Sequence, residues 1–148
     1  MQQLVQAIQD WPHDRMAVVG SSLGGFYATW VAQQFPACRV VLLNPAVDPA
    51  RDLAQYIGAQ QQFHDPSESF YFQAEYIQEL RDLACGALQS PARFFSVIAK
   101  GDEVLDWREM YARYQVGKCL LLDGADHGLT DFAQYLPAIL EHLQLAAI

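Results

Sequence analysis

Four short apolar runs constrain this chain more than any other feature, because each is too brief for a helix and each ends in turn-forming residues. They occupy positions 16–19 (Met-Ala-Val-Val), 40–43 (Val-Val-Leu-Leu), 94–99 (Phe-Phe-Ser-Val-Ile-Ala) and 119–122 (Cys-Leu-Leu-Leu). Runs of this kind read as strands buried on both faces. Stretches with helical periodicity lie between and around them. Leu4, Val5 and Ile8 mark a helix over 2–10, ended by Trp11-Pro12, and a second helix runs over 23–35 to Pro36. Two more are expected over 107–114 and 130–143. The last has Thr130 as its N-cap and Phe132, Leu136, Ile139, Leu140 and Leu143 on one face. Buried strands alternating with helices predict an α/β fold, a mostly parallel sheet with helices on both faces.

Residues 46–90 depart from this alternation. They hold clusters of Gln and the aromatics Tyr56, Phe63, Phe70, Tyr71, Phe72 and Tyr76, with no clear strand. A helical and loop insertion over the sheet, after the second strand, is expected here. Its aromatics either line a ligand pocket or pack the insertion's own core. With 148 residues and no internal repeat or linker, the chain 1–148 reads as one domain.

Charge and cysteine content narrow the setting. Nine basic residues against 17 acidic ones leave a net charge of −8, which repels phosphate. Neither a nucleic acid nor an anionic membrane is an expected partner. No run approaches the roughly 18 apolar residues that span a bilayer, and the first ten residues lack the pattern of a signal peptide. Cys38, Cys85 and Cys119 show no C-x-x-C spacing, so they fit neither a disulfide framework nor a zinc site. Cys38 and Cys119 read as small buried hydrophobes, and a cytoplasmic location is expected.

Gly20-Ser21-Ser22-Leu23-Gly24 matches G-x-S-x-G and lies directly between a predicted strand and a predicted helix. That context suits a nucleophile elbow, in which a strained turn lifts a serine hydroxyl above the sheet. Gly20 and Gly24 are expected to avoid clashes with the neighbouring strand and helix, and Gly25 to allow close packing. The spacing selects Ser22, with Ser21 as a packed support. The bland alternative is a tight turn with a serine N-cap. The helix after Ser22 points its free N–H groups at the turn, so the Leu23 N–H is the expected oxyanion donor.

A nucleophilic serine needs a base, and the base needs an orienting acid. In this order of elements the acid follows Ser22 and the histidine comes last. His13 precedes the turn, His64 lies in the insertion, and His142 falls on the closing helix as a surface residue. His127 sits in the glycine-rich loop 123–128 after the fourth strand, where functional groups of open α/β sheets collect. Asp102 comes first after the third strand and Gly101. Glu103 and Asp106 compete with it, although Asp106 suits a helix cap before Trp107. Asp126 adjoins His127 but is not expected to aim at it. No metal-ligand spacing is present, and no cofactor is expected.

The segment 19–30 (Val-Gly-Ser-Ser-Leu-Gly-Gly-Phe-Tyr-Ala-Thr-Trp) closely resembles the elbow of the YqiA-like bacterial esterases within the α/β-hydrolase superfamily. Residues 44–47 (Asn-Pro-Ala-Val), 101–106 (Gly-Asp-Glu-Val-Leu-Asp) and the His127 loop ending in Leu129-Thr130 resemble the same family. The resemblance runs along essentially the whole chain. It implies the α/β-hydrolase fold, a Ser22–His127–Asp102 triad, and hydrolysis of small-molecule acyl esters or acyl-CoA thioesters. The family also opens with a strand ending in a His-Gly turn that supplies a second oxyanion donor. No such segment stands in these 148 residues, so an N-terminally truncated version of the fold is expected. Losing one oxyanion donor costs roughly 10²–10³ in rate. A strand without its usual neighbour would leave the run 16–19 as an open edge, through which self-association is expected. The reading from a different class is a non-catalytic remnant of the fold that serves as a binding module.

Overall fold

The computed structural model describes residues 2–61, 65 and 67–145. Phe63 and His64 of the expected insertion lie outside these described residues. Four parallel strands form the main sheet: β1 (Ala17–Ser21), β2 (Arg39–Leu43), β5 (Phe94–Ala99) and β6 (Lys118–Leu122). They stand side by side in the order β1-β2-β5-β6, so the sheet grows from one edge to the other as the chain proceeds. Val40 pairs in register with Val18 on one side and Phe94 on the other.

The period of two along each strand decides which helix it meets. Val40, Leu42 and Phe94 face Ala28 and Ala32 of α2 (Leu23–Gln34) and Tyr114 of α5 (Trp107–Tyr114). Val41, Phe95 and Val97 face the opposite way, onto Ile139 and Leu143 of α6 (Leu136–Leu143). Val40, Val41 and Leu42 are fully buried, as a strand between two helical layers must be. Each such side chain contributes about 1.5–3 kcal/mol over its exposed state. The first helix, α1 (Gln2–Ile8), is two residues shorter than the sequence pattern suggests and docks Ile8 against Met16, Val31 and Cys38.

Three expectations change. β1 is not a strand buried on both faces. Val19 is 48% exposed, while the position of β1 at the sheet edge agrees with the open edge expected for the run 16–19. The segment 46–90 is not free of strands. After α3 (Pro49–Leu53), the strands β3 (Gly58–Gln61) and β4 (Ser69–Phe72) pair antiparallel, followed by α4 (Ala74–Asp82). No residue of the hairpin is fully buried: polar β3 has no apolar run to announce it, and the aromatics of β4, Phe70 and Tyr71 among them, stay exposed instead of marking a core strand. The closing helix is also shorter than 130–143. A short 3₁₀ turn at Phe132–Gln134 precedes α6, which starts with Pro137 in its first turn, because proline has no N–H to donate in a helix interior. Thr130 caps nothing. Its hydroxyl and amide bond the Asp126 carboxylate instead, and Leu136 is 38% exposed.

Candidate active site

The C-terminal ends of the four parallel strands converge, and each is followed by a polar residue: Ser22 after β1, Asn44 after β2, Asp102 after β5 and His127 after β6. Ser22 occupies the turn between β1 and α2 with φ 52° and ψ −124°, a backbone conformation that costs most residues strain. The ladder holds it there: the Ser22 N–H donates to the Leu43 carbonyl at 2.9 Å, and the Ser22 carbonyl accepts from Ala46 at 2.9 Å. The turn is tight enough that a Cβ on Gly20 would meet the Gly24 carbonyl and lie 2.8 Å from the Ala28 Cβ. A Cβ on Gly25 would lie 2.6 Å from the Pro45 Cβ. Gly24 does not share this role, because a Cβ there would meet nothing within 4 Å beyond its chain neighbours and its own helix backbone. Ser21 is not a packed support either; it is exposed.

The Ser22 side chain makes no cap bond to α2, although it stands at the N-cap position. It turns to His127 instead, with 3.0 Å between Oγ and Nε2. His127 Nδ1 lies 2.8 Å from Asp102 Oδ2. The Asp102 side chain is wholly shielded from solvent, while the His127 side chain keeps 20% exposure. Asp102 Oδ1 accepts from the N–H groups of Val104 and Leu105, both at 2.8 Å, which fixes the carboxylate plane. The proton on Nδ1 is thereby directed to a carboxylate, leaving Nε2 free to accept from a hydroxyl. The Leu23 N–H heads α2, where a helix has no internal acceptor for it.

The competing residues go elsewhere. Asp106 caps α5 by accepting from the Arg108 N–H at 2.9 Å. Glu103 Oε2 accepts from the His127 backbone N–H at 3.1 Å, so it braces the loop and not the ring. The bonds from Thr130 hold the exposed Asp126 carboxyl below the usual aspartate range. His13 stacks on Phe35, with ring centroids 4.2 Å apart. His142 is not a surface residue. It is 9% exposed, packs on Phe95, and bonds the Arg93 carbonyl at 2.9 Å. Burial pushes its pKa below the ordinary 6.5.

A hollow of about 150 Å³ opens beside Ser22, lined among others by Leu23, Ala46, Leu53, Tyr56 and Leu105. Of the expected aromatics, Tyr56 alone among the described residues reaches it. Phe72 packs with Ile77 and Leu80 in a small core, while Phe70 and Tyr71 are exposed. A larger hollow, about 410 Å³, runs along the open side of β1 between α1 and α2. Among the described residues no three His, Cys, Asp or Glu side chains gather where they could hold a metal. No helix among them is long and apolar enough to cross a membrane.

Sequence reasoning named Ser22, Leu23, Asp102 and His127, and the structure brings them together at one edge. It passed over Asn44, which is wholly buried beneath them. The signals for Asn44 were its place before Pro45 at a strand end and the resemblance of the segment 44–47 to the family, neither of which assigns its side chain a role.

This architecture is the α/β-hydrolase fold. A protein of Agrobacterium vitis S4 is similar in structure, at 17% identity and a TM-score of 0.75 over 96% of this chain and 66% of that one. The esterase domain of a Rhodothermus marinus protein matches at 19% identity and a TM-score of 0.59, over 93% and 62% of the two chains. An alpha/beta superfamily hydrolase of Oenococcus oeni PSU-1 matches at 15% identity and a TM-score of 0.62, over 97% and 73%. The chain thus spans less than two thirds of the length of the first two. The chain belongs to the family described as Uncharacterised protein family (UPF0227), which it matches over residues 1–144, and this is the YqiA-like family.

Proposed function

We propose that this chain is a serine hydrolase acting on acyl esters or acyl thioesters, with Ser22, His127 and Asp102 as its triad. The observation that carries the reading is the side chain of Ser22: it leaves its own helix uncapped and joins the His127–Asp102 pair. In the first step Ser22 Oγ attacks the acyl carbonyl carbon while His127 Nε2 takes the hydroxyl proton. Asp102 holds the ring and stabilises the imidazolium. The Leu23 N–H donates to the developing oxyanion. His127 then returns the proton to the departing alcohol or thiol, leaving Ser22 acylated. Water repeats the sequence in reverse, releasing the acid. The mechanism as written uses no metal and no cofactor. The hollow lined by Leu23, Ala46 and Leu53 suits the acyl group. Turning at Ser22, the strained strand-to-helix segment serves as the nucleophile elbow.

Cytoplasmic placement is part of the same proposal. Cys38, Cys85 and Cys119 are unpaired, and burial pushes all three thiols above their ordinary value.

The test is a panel of nitrophenyl esters and acyl thioesters. Turnover that disappears in Ser22→Ala is the expected result. No turnover of any member by the wild type, or undiminished turnover by Ser22→Ala, overturns the reading, and the former outcome would favour a binding module.

A further inference from the structure

We infer that Asn44 is a positioning residue for the candidate site, setting the distance between Ser22 and the His127 imidazole. The inference rests on the reading of Ser22 and His127 as nucleophile and base. β2 stands between β1, which presents Ser22, and β5, which presents Asp102, with β6 and His127 beyond. The residue that follows β2 is therefore placed to reach both sides, and that residue is Asn44.

Its bonds use this position. The Asn44 Nδ2 group donates to the Asp126 carbonyl at 3.1 Å and to the His127 carbonyl at 2.9 Å. Its Oδ1 accepts from the Ala99 N–H at 2.8 Å, and its own backbone N–H donates to the Val97 carbonyl at 3.0 Å. One side chain thus ties the His127 loop to the end of β5, three residues before Asp102. Two residues on, the Ala46 N–H grips the Ser22 carbonyl, and Pro45 packs against Gly25 of α2. The segment 44–46 therefore holds the serine turn with its backbone and the histidine loop with a side chain.

The chemistry of the residue fits the task closely. The side chain must donate two bonds and accept one within a wholly buried space, and only a primary amide presents both roles on so short a stem. The backbone at Asn44 has φ 42°, a region that asparagine tolerates better than most residues. Asp fits the space and the φ, but its carboxylate has no proton for two carbonyl oxygens. Gly fits the φ and has no side chain at all. Each variant releases the His127 loop while leaving the backbone path open.

The experiment compares Asn44→Gly and Asn44→Asp with the wild type. Turnover of a nitrophenyl ester is counted per site titrated with a fluorophosphonate, so misfolded molecules do not enter. The expected result is a fall in kcat of roughly 10²-fold, the scale of a 1 Å misplacement of a reacting group, with KM nearly unchanged. In parallel, proton NMR follows the His127 Nδ1 proton bound to Asp102. That resonance is expected downfield of the amides in the wild type and is expected to broaden or vanish in both variants. Lower thermal stability with unchanged kcat per site and an unchanged resonance would overturn the inference, because Asn44 would then be structural only. The two claims separate cleanly. If Ser22→Ala keeps its turnover, the hydrolase reading fails, whereas the resonance still reports whether Asn44 sets the ring.

Discussion

At the scale of single residues, the candidate site is decided by where hydrogen bonds are spent. Three carboxylates lie near His127 in sequence or space, and only Asp102 faces the ring; Glu103 bonds the loop backbone and Asp126 bonds Thr130. Asp102→Asn is therefore expected to lower the acylation rate by roughly 10⁴, because an amide at this place favours the wrong histidine tautomer. Asp106→Ala is expected to leave turnover intact and to cost about 1 kcal/mol of stability through the lost α5 cap. Single-turnover kinetics and thermal unfolding of the two variants check both halves, and the reverse assignment of effects would contradict the role of Asp102. This much was legible beforehand, since the order serine, acid, histidine and the strand ends leave few choices. Asn44 was not, because nothing in a run closed by Asn-Pro says that its side chain points under the neighbouring loops.

At the scale of elements, legibility followed burial. β5 is buried at every position, and its bounds were readable to the residue from its apolar run. β3 and β4 hold no fully buried residue and pair with each other, so polar Gly58–Gln61 gave no strand signal and the run Phe70-Tyr71-Phe72 could not be told from insertion packing. α6 shows the opposite error. Its apolar pattern continued past its true start, since Phe132 packs on the same core from a 3₁₀ turn. This helix also carries a pH dependence. His142 is buried between α6 and the sheet, with Lys118 and Arg39 adding positive charge nearby, so its imidazole pKa is depressed, chiefly by burial. The unfolded chain then binds more protons than the folded one below the ordinary pKa of 6.5. The contribution of His142 is complete above that pH and is lost as pH falls through the depressed folded value. Melting temperatures at pH 7.5 and pH 5 are expected to differ less in His142→Gln, which can still donate to the Arg93 carbonyl, than in the wild type. An equal or larger difference in the variant would contradict this account.

At the scale of the whole molecule, the sheet has one edge of unusual character. Among the described residues β1 pairs only with β2, and its other side borders the larger hollow, where Trp11 is 53% and Val19 48% exposed. No charge or proline interrupts the strand. Edges of that kind recruit further strands, and a net charge of −8 spread over the surface opposes this only weakly at short range. We propose that two copies of this chain associate through β1. Light scattering coupled to size exclusion is expected to show a species larger than one chain, reduced by Val19→Lys. A stable monomer at high concentration would contradict it.

A Ser22 nucleophile activated by His127 reveals itself in the site of covalent modification. The chain is treated with a fluorophosphonate, digested and sequenced by mass spectrometry. One adduct per chain is expected, on Ser22, absent in Ser22→Ala and formed much more slowly in His127→Ala. An adduct on the exposed Ser21, or labelling that persists in Ser22→Ala, would contradict it.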